Sequence, residues 1–240
     1  MQVSGSTALV TGANRGIGRA LVAALLEAGA AKVYATARHP GDVVVPPGAE
    51  GRVVALPLDI TSAASIAAAA AQATDVTLLV NNAGVLDFGG ALEISGDKLE
   101  RNFAGNFFGP LNMARAFAPV LEANGGGAIV NTLTIVALAS MPGLAGYNAS
   151  KAAAWSMTQS LRAALAPKGI AVHAVFPGPV DTDMAAEITF PKTSAADVAK
   201  AIVDGVQEDH EDIFPDPMSA QVYEGWRQDH KAVERQFAAV

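Results

Sequence analysis

The sequence predicts an α/β protein with a doubly wound parallel β-sheet and helices on both faces. Short β-rich segments alternate with longer helical segments along the 240 residues, an order typical of parallel strands joined by right-handed crossovers. Apolar residues make up 51% of the chain and charged residues only 16%, which suits a sheet buried on both faces. Because no repeat or linker divides the chain, we expect a single domain over residues 1–240.

The predicted strands are short apolar and β-branched runs that end at turn-forming residues, and we expect about seven of them. They lie at Thr7–Val10, Lys32–Thr36, Arg52–Leu58, Val76–Val80, Ala128–Thr132, Ile170–Phe176 and Asp212–Phe214. Glycine and proline mark several of the ends, as in Asn124–Gly127 and Pro177–Pro179, where such residues break regular structure.

The predicted helices carry apolar residues at helical spacing or are rich in alanine. They lie at Ile17–Ala28, Thr61–Ala73, Ser95–Ala123 and Tyr147–Ala166, and a further helix follows Ser194. Ser194 has an acid three residues later, at Asp197, as in a capping box. Residues 215–240 form a C-terminal tail with three aromatic residues, which predicts a packed helix or an arm that reaches a neighbouring subunit.

Composition excludes several classes of function. The net charge of −7 and the pI near 5.0 argue against a nucleic-acid-binding protein, which needs a basic surface. There is no cysteine, so disulfides, thiolate metal sites and a cysteine nucleophile are excluded. The four histidines show no metal-ligand spacing, and we expect no metal. With no signal peptide and no apolar run of about 18 residues, we expect a cytoplasmic protein without a membrane partner.

A glycine-rich turn directly follows the first predicted strand and opens the first helix. It reads Gly12-Ala13-Asn14-Arg15-Gly16-Ile17-Gly18. Glycines at such a turn let a pyrophosphate approach the backbone, and the helix N-terminus supplies unpaired N–H groups and partial positive charge. In this place between strand and helix, the turn predicts a dinucleotide-binding site.

The end of the second strand bears on the choice of dinucleotide. NAD sites usually place an acid there to hold the ribose hydroxyls, whereas this strand ends Ala35-Thr36-Ala37-Arg38. Arg38 stands where a 2′-phosphate would lie, and Arg15 of the glycine turn is a second candidate partner. Because arginine pairs with phosphate in fork geometry, we expect NADP(H) to be preferred over NAD(H).

Tyr147 and Lys151 are candidates for proton transfer. Their four-residue spacing places both on one face of a predicted helix. A free tyrosine has a pKa of about 10, which a nearby ammonium and a nicotinamide cation would lower by stabilising phenolate. Tyr147 could then donate a proton to a carbonyl oxygen as a hydride arrives at carbon.

Together these features resemble the short-chain dehydrogenase/reductase family, in its compact branch of about 250 residues. The resemblance covers residues from Ser6 to about Phe214. It rests on motifs in the family's order: Thr11–Gly18, Asp59, Asn81–Gly84, Asn106, Tyr147 with Lys151, and Pro177–Gly178 with Thr182. The resemblance implies a Rossmann-type sheet, a nicotinamide-dependent oxidoreductase and a homotetramer or homodimer.

The resemblance also implies a role for each motif residue. Cofactor contacts would come from Gly12, Asn14, Arg15, Gly16, Ile17, Gly18, Arg38, Asp59, Ile60, Asn82, Ala83, Gly84, Tyr147, Lys151, Pro177, Gly178, Val180 and Thr182. Among these, Asp59 and Ile60 would contact adenine, while Gly178, Val180 and Thr182 would flank the nicotinamide. Asn106 would hold a water that links Lys151 to solvent. Asn81 would either join this site or only brace the sheet.

One position departs from the family pattern. The family places a serine thirteen residues before the tyrosine to hydrogen-bond the substrate oxygen, and this chain has Thr134. Threonine keeps the hydroxyl, but its methyl group restricts the rotamer and crowds the pocket. The residues expected to line the substrate pocket are Thr134, Val136, Leu144, Tyr147, Pro179 and Met184.

We therefore expect an NADPH-dependent enzyme that reversibly reduces a ketone to a secondary alcohol. Tyr147 would act as general acid and base, and Asn106, Thr134 and Lys151 would complete the catalytic set. The apolar residues around the predicted pocket favour aryl or medium alkyl ketones as substrates. The alternative is a catalytically weakened or silent NADP(H)-binding sensor, which would bind the cofactor and turn over no ketone.

Overall fold

Seven parallel strands form the central sheet of the computed structural model, which describes residues 1–239. They are β1 (Thr7–Thr11), β2 (Lys32–Ala37), β3 (Val53–Pro57), β4 (Leu78–Asn81), β5 (Gly127–Thr132), β6 (Ile170–Val175) and, after two short strands outside this sheet, β9 (Asp212–Ile213). The order β3-β2-β1-β4-β5-β6-β9 confirms the predicted doubly wound sheet. It also makes β1 and β4 neighbours at the switch point, where ligands bind in such sheets.

Helices cover both faces of the sheet. They are α1 (Gly16–Glu27), α2 (Ala63–Gln72), α3 (Gly96–Phe103), α4 (Gly109–Ala123), α5 (Ala145–Leu165), α6 (Ala195–Gln207), α7 (Pro217–Gln228) and α8 (His230–Ala238). Successive strand residues point to opposite faces. Val10 of β1 therefore packs in one core cluster with Leu25 of α1, and Leu9 packs in the other with Phe117 of α4. Each such buried side chain contributes roughly 1.5–3 kcal/mol.

The predicted helix over Ser95–Ala123 forms, but it contains one irregular turn that was not predicted. A π-helical turn at Ala104–Phe108 separates α3 from α4. Pro110 has no N–H to continue the ordinary hydrogen-bond ladder at this point. The position of a Cβ on Gly109 lies only 2.7 Å from the Ile60 side chain, so the helix also packs tightly here. The turn carries Asn106, which faces the site described below.

The segment after β6 contains structure that the sequence did not predict. Two-residue strands β7 (Val180–Asp181) and β8 (Thr193–Ser194) pair in parallel and bracket a loop above the carboxyl edge of the sheet. The C-terminal tail forms two helices, α7 and α8, where a single helix or an arm was expected. No helix within residues 1–239 is long and apolar enough to cross a membrane.

Aromatic stacking holds the C-terminal helices against the body of the protein. Phe214 stacks on Phe176 of the sheet edge at 5.1 Å and on Tyr223 of α7 at 4.0 Å between ring centroids. Trp155 of α5 contacts Trp226 edge-on at 5.8 Å. Such pairs contribute about 0.5–1.5 kcal/mol each beyond their burial. The tail is therefore packed on its own chain, over the carboxyl edge of the sheet.

Candidate active site

The glycine turn leaves no room for side chains. Gly12 and Gly16 have φ values of +66° and +53°, a region that glycine alone enters without strain. A Cβ on Gly18 would lie 2.1 Å from the carbonyl oxygen of Gly12, and one on Gly12 would lie 3.1 Å from Cα of Ala83. The turn therefore packs backbone against backbone, between β1 and the residues that follow β4.

The N-terminus of α1 opens directly from this turn. Arg15 is the N-cap residue, and among the described residues its side chain makes no cap hydrogen bond. The first N–H groups of the helix are therefore available to donate to another partner, as expected at a phosphate-binding helix end. The Arg15 guanidinium instead lies 3.3 Å from Oδ2 of Asp183. Both side chains are exposed, so this ion pair is weak.

Arg38 and Asp59 follow neighbouring strands, β2 and β3, at one end of the same edge. Asp59 Oδ1 accepts hydrogen bonds from the Thr61 hydroxyl at 2.7 Å and the Thr61 N–H at 2.9 Å. These bonds, helped by the nearby charge of Arg38, lower the pKa of Asp59. Arg38 is exposed and available to an anion. Ile60 is 9% exposed and packs in the core, so little of its side chain is accessible to a ligand.

The asparagines after β4 brace the site. Asn82 donates from Nδ2 to the carbonyl oxygens of Thr11 and Gly12 at 3.0 and 3.3 Å, which fixes the glycine turn. Asn81 donates to Oδ1 of Asn131 on β5 at 2.9 Å and is buried. Of the two alternatives for Asn81, its contacts are those of a residue that braces the sheet.

Tyr147 and Lys151 lie on one face of α5, as their spacing predicts. Lys151 Nζ lies 5.8 Å from the centre of the Tyr147 ring and donates to the Thr132 carbonyl oxygen at 2.7 Å. Burial lowers the pKa of Lys151 to about 8. Burial also raises the pKa of Tyr147 to about 12, and the Thr134 hydroxyl opposes this rise. Thr134 thus lies against the phenol, where a serine was expected from the family pattern.

Asn106 is held by protein groups on three sides. Its Oδ1 accepts from the Val85 N–H at 2.9 Å, and its Nδ2 donates to the Val85 carbonyl oxygen at 2.9 Å and to Ser150 Oγ at 3.0 Å. Both Nδ2 protons are used, so the expected water bridge would have to use the second lone pair of Oδ1. A Cβ on Gly84 would lie 2.9 Å from this Oδ1 and 3.6 Å from Lys151 Nζ, so Gly84 separates the two groups.

One cavity of about 970 Å³ joins the glycine turn to Tyr147. Its lining includes, of the residues singled out from the sequence, Gly12, Asn14, Arg15, Gly16, Ile17, Asn82, Ala83, Gly84, Thr134, Val136, Leu144, Tyr147, Lys151, Pro177, Gly178, Pro179, Val180, Thr182 and Met184. Arg38 and Asp59 lie outside this lining, beyond the strand ends. The lining combines the backbone of the glycine turn with apolar side chains such as Val136 and Leu144, and the C-terminal helices add both apolar and polar side chains.

The C-terminal helices supply a wall of this cavity that sequence reasoning missed. Met218 and Val222 of α7 and Val233 and Phe237 of α8 belong to the lining. The helical spacing of these apolar residues indicates a buried face, but no motif indicates what that face covers. Within residues 1–239, no cluster of three or more acidic or histidine side chains is placed to hold a metal ion.

The site fits a dinucleotide. Gly12 and Gly18 lie against backbone and Gly16 lies against the Thr182 side chain, so a Cβ at any of the three would fill the shallow cradle of the turn. The cradle lies next to the N-terminus of α1 and to Arg15, and Arg38 follows the neighbouring strand β2. The cradle continues into the cavity that contains Tyr147, Thr134 and Lys151. An extended ligand with phosphates at one end and a reactive ring at the other matches this layout.

Comparison with known proteins identifies the family. The sequence profile described as short chain dehydrogenase matches residues 6–192. The chain belongs to the short chain dehydrogenase family. A sorbitol dehydrogenase of Cereibacter sphaeroides is 38% identical over 196 residues, which cover 75% of this chain and 73% of that protein.

Solved structures of the family agree with this assignment. A short chain dehydrogenase from Burkholderia cenocepacia J2315, crystallised in complex with NADP, is 39% identical, covers 99% of both chains and has a TM-score of 0.93. A short chain dehydrogenase/reductase from Burkholderia phymatum, in complex with NAD, is 28% identical with a TM-score of 0.86, over 98% of this chain and 96% of that one. The chain is therefore a nicotinamide-dependent oxidoreductase of this family, with a Rossmann-like fold.

Proposed function

We propose that this short chain dehydrogenase uses NADPH to reduce a ketone to a secondary alcohol, reversibly, with Tyr147 as the general acid and base. One observation carries the proposal. The hydroxyl groups of Tyr147 and Thr134 and the ammonium of Lys151 meet in the cavity that begins at the glycine turn. A proton donor, a carbonyl ligand and a cation beside a reactive ring are what this reaction requires, and these three groups support the proposal on that ground.

Each residue has a distinct chemical task. The bound cofactor supplies the hydride. The Thr134 hydroxyl hydrogen-bonds the substrate oxygen and holds it against Tyr147, whose phenol gives up its proton as negative charge develops on that oxygen. In the oxidation direction Tyr147 takes the proton back. Glycine backbone around the turn excludes water from the phosphate end and keeps the two reactants aligned.

The pKa values of Tyr147 and Lys151 define what cofactor binding must accomplish. Tyr147, with its pKa raised to about 12 by burial, is a poor proton donor near neutrality. Lys151, with its pKa lowered to about 8, still carries its proton at pH 7. Its positive charge, together with that of the oxidised cofactor, stabilises the phenolate and brings the pKa of Tyr147 down in the working complex.

The preference for NADPH rests on Arg38 and Arg15. Arg38 is exposed just after β2, where NAD enzymes usually have an acid. Within residues 1–239 its guanidinium forms no ion pair, so it can bind a 2′-phosphate. Arg15 lies in the glycine turn and pairs only weakly with Asp183, at 3.3 Å on the surface. Two available cations at the adenosine end favour the cofactor that carries the extra phosphate.

The proposed substrates are aryl or medium alkyl ketones. This choice rests on the apolar side chains of the cavity lining, which include Val136, Leu144, Met184, Met218 and Val222. Burying a phenyl or alkyl group against them stabilises binding by roughly 25 cal/mol per Å² of apolar area. A polyhydroxy or charged substrate would lose its hydrogen bonds to water there without replacement.

The test is oxidation of NADPH and of NADH by the purified protein, with acetophenone and small aliphatic ketones. NADPH should support turnover, Arg38→Asp should weaken NADPH use by about tenfold or more, and Tyr147→Phe should lower turnover by roughly 10³-fold. Arg52→Asp is the matched control. Arg52 is also exposed but lies just before β3, at the end of the strands opposite to Arg38. Its substitution should therefore leave NADPH use unchanged.

The outcomes separate the two candidate functions. Binding of NADPH without turnover of any ketone would refute the reductase and support the NADP(H)-binding sensor, with Thr134 as the first residue to revert to serine. Equal use of NADH and NADPH, unaffected by Arg38→Asp, would refute the role of Arg38. A kinetic preference for charged or polyhydroxy substrates would refute the apolar substrate class.

A further inference from the structure

Asp216 is a buried carboxylate between two parts of the site. It is 6% exposed. Its Oδ2 accepts a hydrogen bond from the Gly178 N–H at 2.8 Å, and its Oδ1 accepts one from the Ser219 N–H at 2.8 Å. Gly178 belongs to the loop after β6, and Ser219 is in the first turn of α7. One side chain therefore joins two segments that lie 38 residues apart in sequence.

The environment of this carboxylate is made of N–H donors. Across residues 1–239, no Lys, Arg or His side chain forms an ion pair with Asp216. The carboxylate instead lies at the N-terminus of α7, where the helix dipole stabilises negative charge. A capping box with Ser219 completes its surroundings. Burying a charge without a cation is costly, so a merely structural cap could have used serine or threonine at lower cost.

The contact with Gly178 is close enough to require glycine. A Cβ on Gly178 would lie 2.9 Å from Asp216 Oδ1 and 3.5 Å from Cβ of Met218. On the other side, the Pro177 carbonyl oxygen accepts from the Ile135 N–H at 3.1 Å, next to Thr134. The Pro177–Gly178 loop is thus fixed at one end to the segment with Thr134 and at the other end to α7.

We propose that Asp216 is a positioning residue. It holds two parts of the site at a fixed distance from each other. One is the Pro177–Gly178 loop, which would lie beside the nicotinamide ring, and the other is the apolar wall of α7. The inference rests on the proposed function, because it assumes that the ring lies against Gly178. Met218 and Val222 of α7 line the same cavity as Tyr147, so the same carboxylate would align this wall with the ring. Asp216 acts through Gly178 and α7 and touches neither reactant.

The experiment compares Asp216→Ala with Asp229→Ala. Asp229 caps α8 in the same way, since its Oδ1 accepts a hydrogen bond from the Ala232 N–H at 3.0 Å. Its side chain is exposed and, within residues 1–239, forms no hydrogen bond with the Pro177–Gly178 loop. The two variants therefore remove the same kind of helix cap, and only the first releases the loop. Ser219→Ala is a further control, since it removes the other half of the capping box and leaves the Asp216–Gly178 bond in place.

Binding is measured calorimetrically with two probes, NADPH and 2′,5′-ADP, which lacks the nicotinamide ring. For Asp216→Ala, Kd for NADPH should rise about tenfold, because a hydrogen bond to a charged group is lost and the loop must be ordered on binding. Kd for 2′,5′-ADP should stay within about twofold. Bound NADPH should also show lower fluorescence anisotropy, since its ring is less restrained. Asp229→Ala and Ser219→Ala should change none of these values.

The outcomes are distinguishable. If Asp216→Ala lowers the melting temperature but binds both probes as Asp229→Ala does, the positioning role is refuted and Asp216 is only a cap. If the wild-type protein binds no NADPH, the proposed function fails and this inference fails with it. Should Asp216→Ala not fold, Asp216→Asn keeps the shape and one acceptor oxygen. It should weaken NADPH binding in the same selective way, and unchanged binding would overturn the proposal.

Discussion

Replacing Lys151 with methionine is expected to stabilise the protein at neutral pH while it abolishes turnover. The lysine is 5% exposed, and burial lowers its pKa from 10.5 to about 8. At pH 7 the folded protein must therefore keep a charged ammonium in a poorly solvated place. Methionine fills a similar volume without a charge, so the folded state gains what the desolvated ammonium had cost.

The magnitude follows from the two pKa values. A pKa difference of one unit corresponds to about 1.4 kcal/mol, so the change from 10.5 to about 8 represents roughly 3 kcal/mol. The variant also loses the 2.7 Å hydrogen bond to the Thr132 carbonyl oxygen, which costs about 1 kcal/mol. The net gain is about 2 kcal/mol, or a rise in Tm of about 4–8 °C for a chain of this size.

The gain should disappear as the pH rises. Between pH 8 and 10.5 the unfolded chain holds the Lys151 proton while the folded protein has lost it. In this range the stability of the wild-type protein therefore increases with pH. The methionine variant has no such dependence. Tyr147, whose folded pKa is about 12, keeps its proton in both states below pH 10 and does not affect the comparison.

The assay is thermal unfolding of both proteins without cofactor, at pH 7 and pH 9.5. We expect the variant to melt higher at pH 7 and at about the same temperature as the wild type at pH 9.5. Lys168→Met is the matched control, because Lys168 lies on the surface beside Glu122 and such pairs contribute about 0–1 kcal/mol. A variant that melts lower at pH 7, or a difference in Tm that is the same at both pH values, would refute the reasoning.

Three further predictions concern the hydroxyl, the surface ion pair and the glycine turn. Thr134→Ala should lower kcat by about 10²-fold, whereas Thr134→Ser should retain activity. Steady-state kinetics measure both, and near-normal turnover of the alanine variant would remove this residue from the mechanism. Asp183→Asn frees the arginine of the glycine turn and should tighten NADPH binding up to about fivefold without affecting NADH, as measured by titration calorimetry. Gly18→Ala places a Cβ 2.1 Å from the Gly12 carbonyl oxygen and should cost about 3 kcal/mol in urea unfolding, whereas Gly96→Ala, with open space around it, should cost little.

The strands and most helix boundaries could be predicted because their signals are local. Apolar runs that end at glycine or proline place each sheet strand within about two residues of its observed bounds. The π-helical turn was not predicted, because Pro110 indicates only that one hydrogen bond of the helix is missing, whereas the contacts around the turn come from distant segments. Gly109 packs on Ile60 and Gly105 on Val85, and neither pairing leaves a mark in the periodicity of the helix itself.

The candidate site likewise has one part that the sequence predicts and one part that depends on tertiary packing. The glycine turn, Tyr147 and Lys151 form motifs with fixed spacing, so the sequence alone places them together. Thr134 is found by its distance from the tyrosine. The wall made by α7, in contrast, follows from tertiary packing. Asp216 can be recognised as a site residue only from its hydrogen bond to Gly178. Sequence spacing therefore predicts the reacting groups better than the groups that position them.

The location of α7 and α8 has a consequence for how this enzyme can diversify. The family match ends at residue 192, whereas the apolar wall around Tyr147 is completed by residues after 216. The apolar wall is thus encoded in two parts: Val136, Leu144 and Met184 lie within the matched stretch, beside Thr134 and Tyr147, and the α7 and α8 residues follow it. A substitution in the tail would therefore reshape one side of the proposed pocket without displacing the groups proposed to react, provided that Asp216 still engages Gly178.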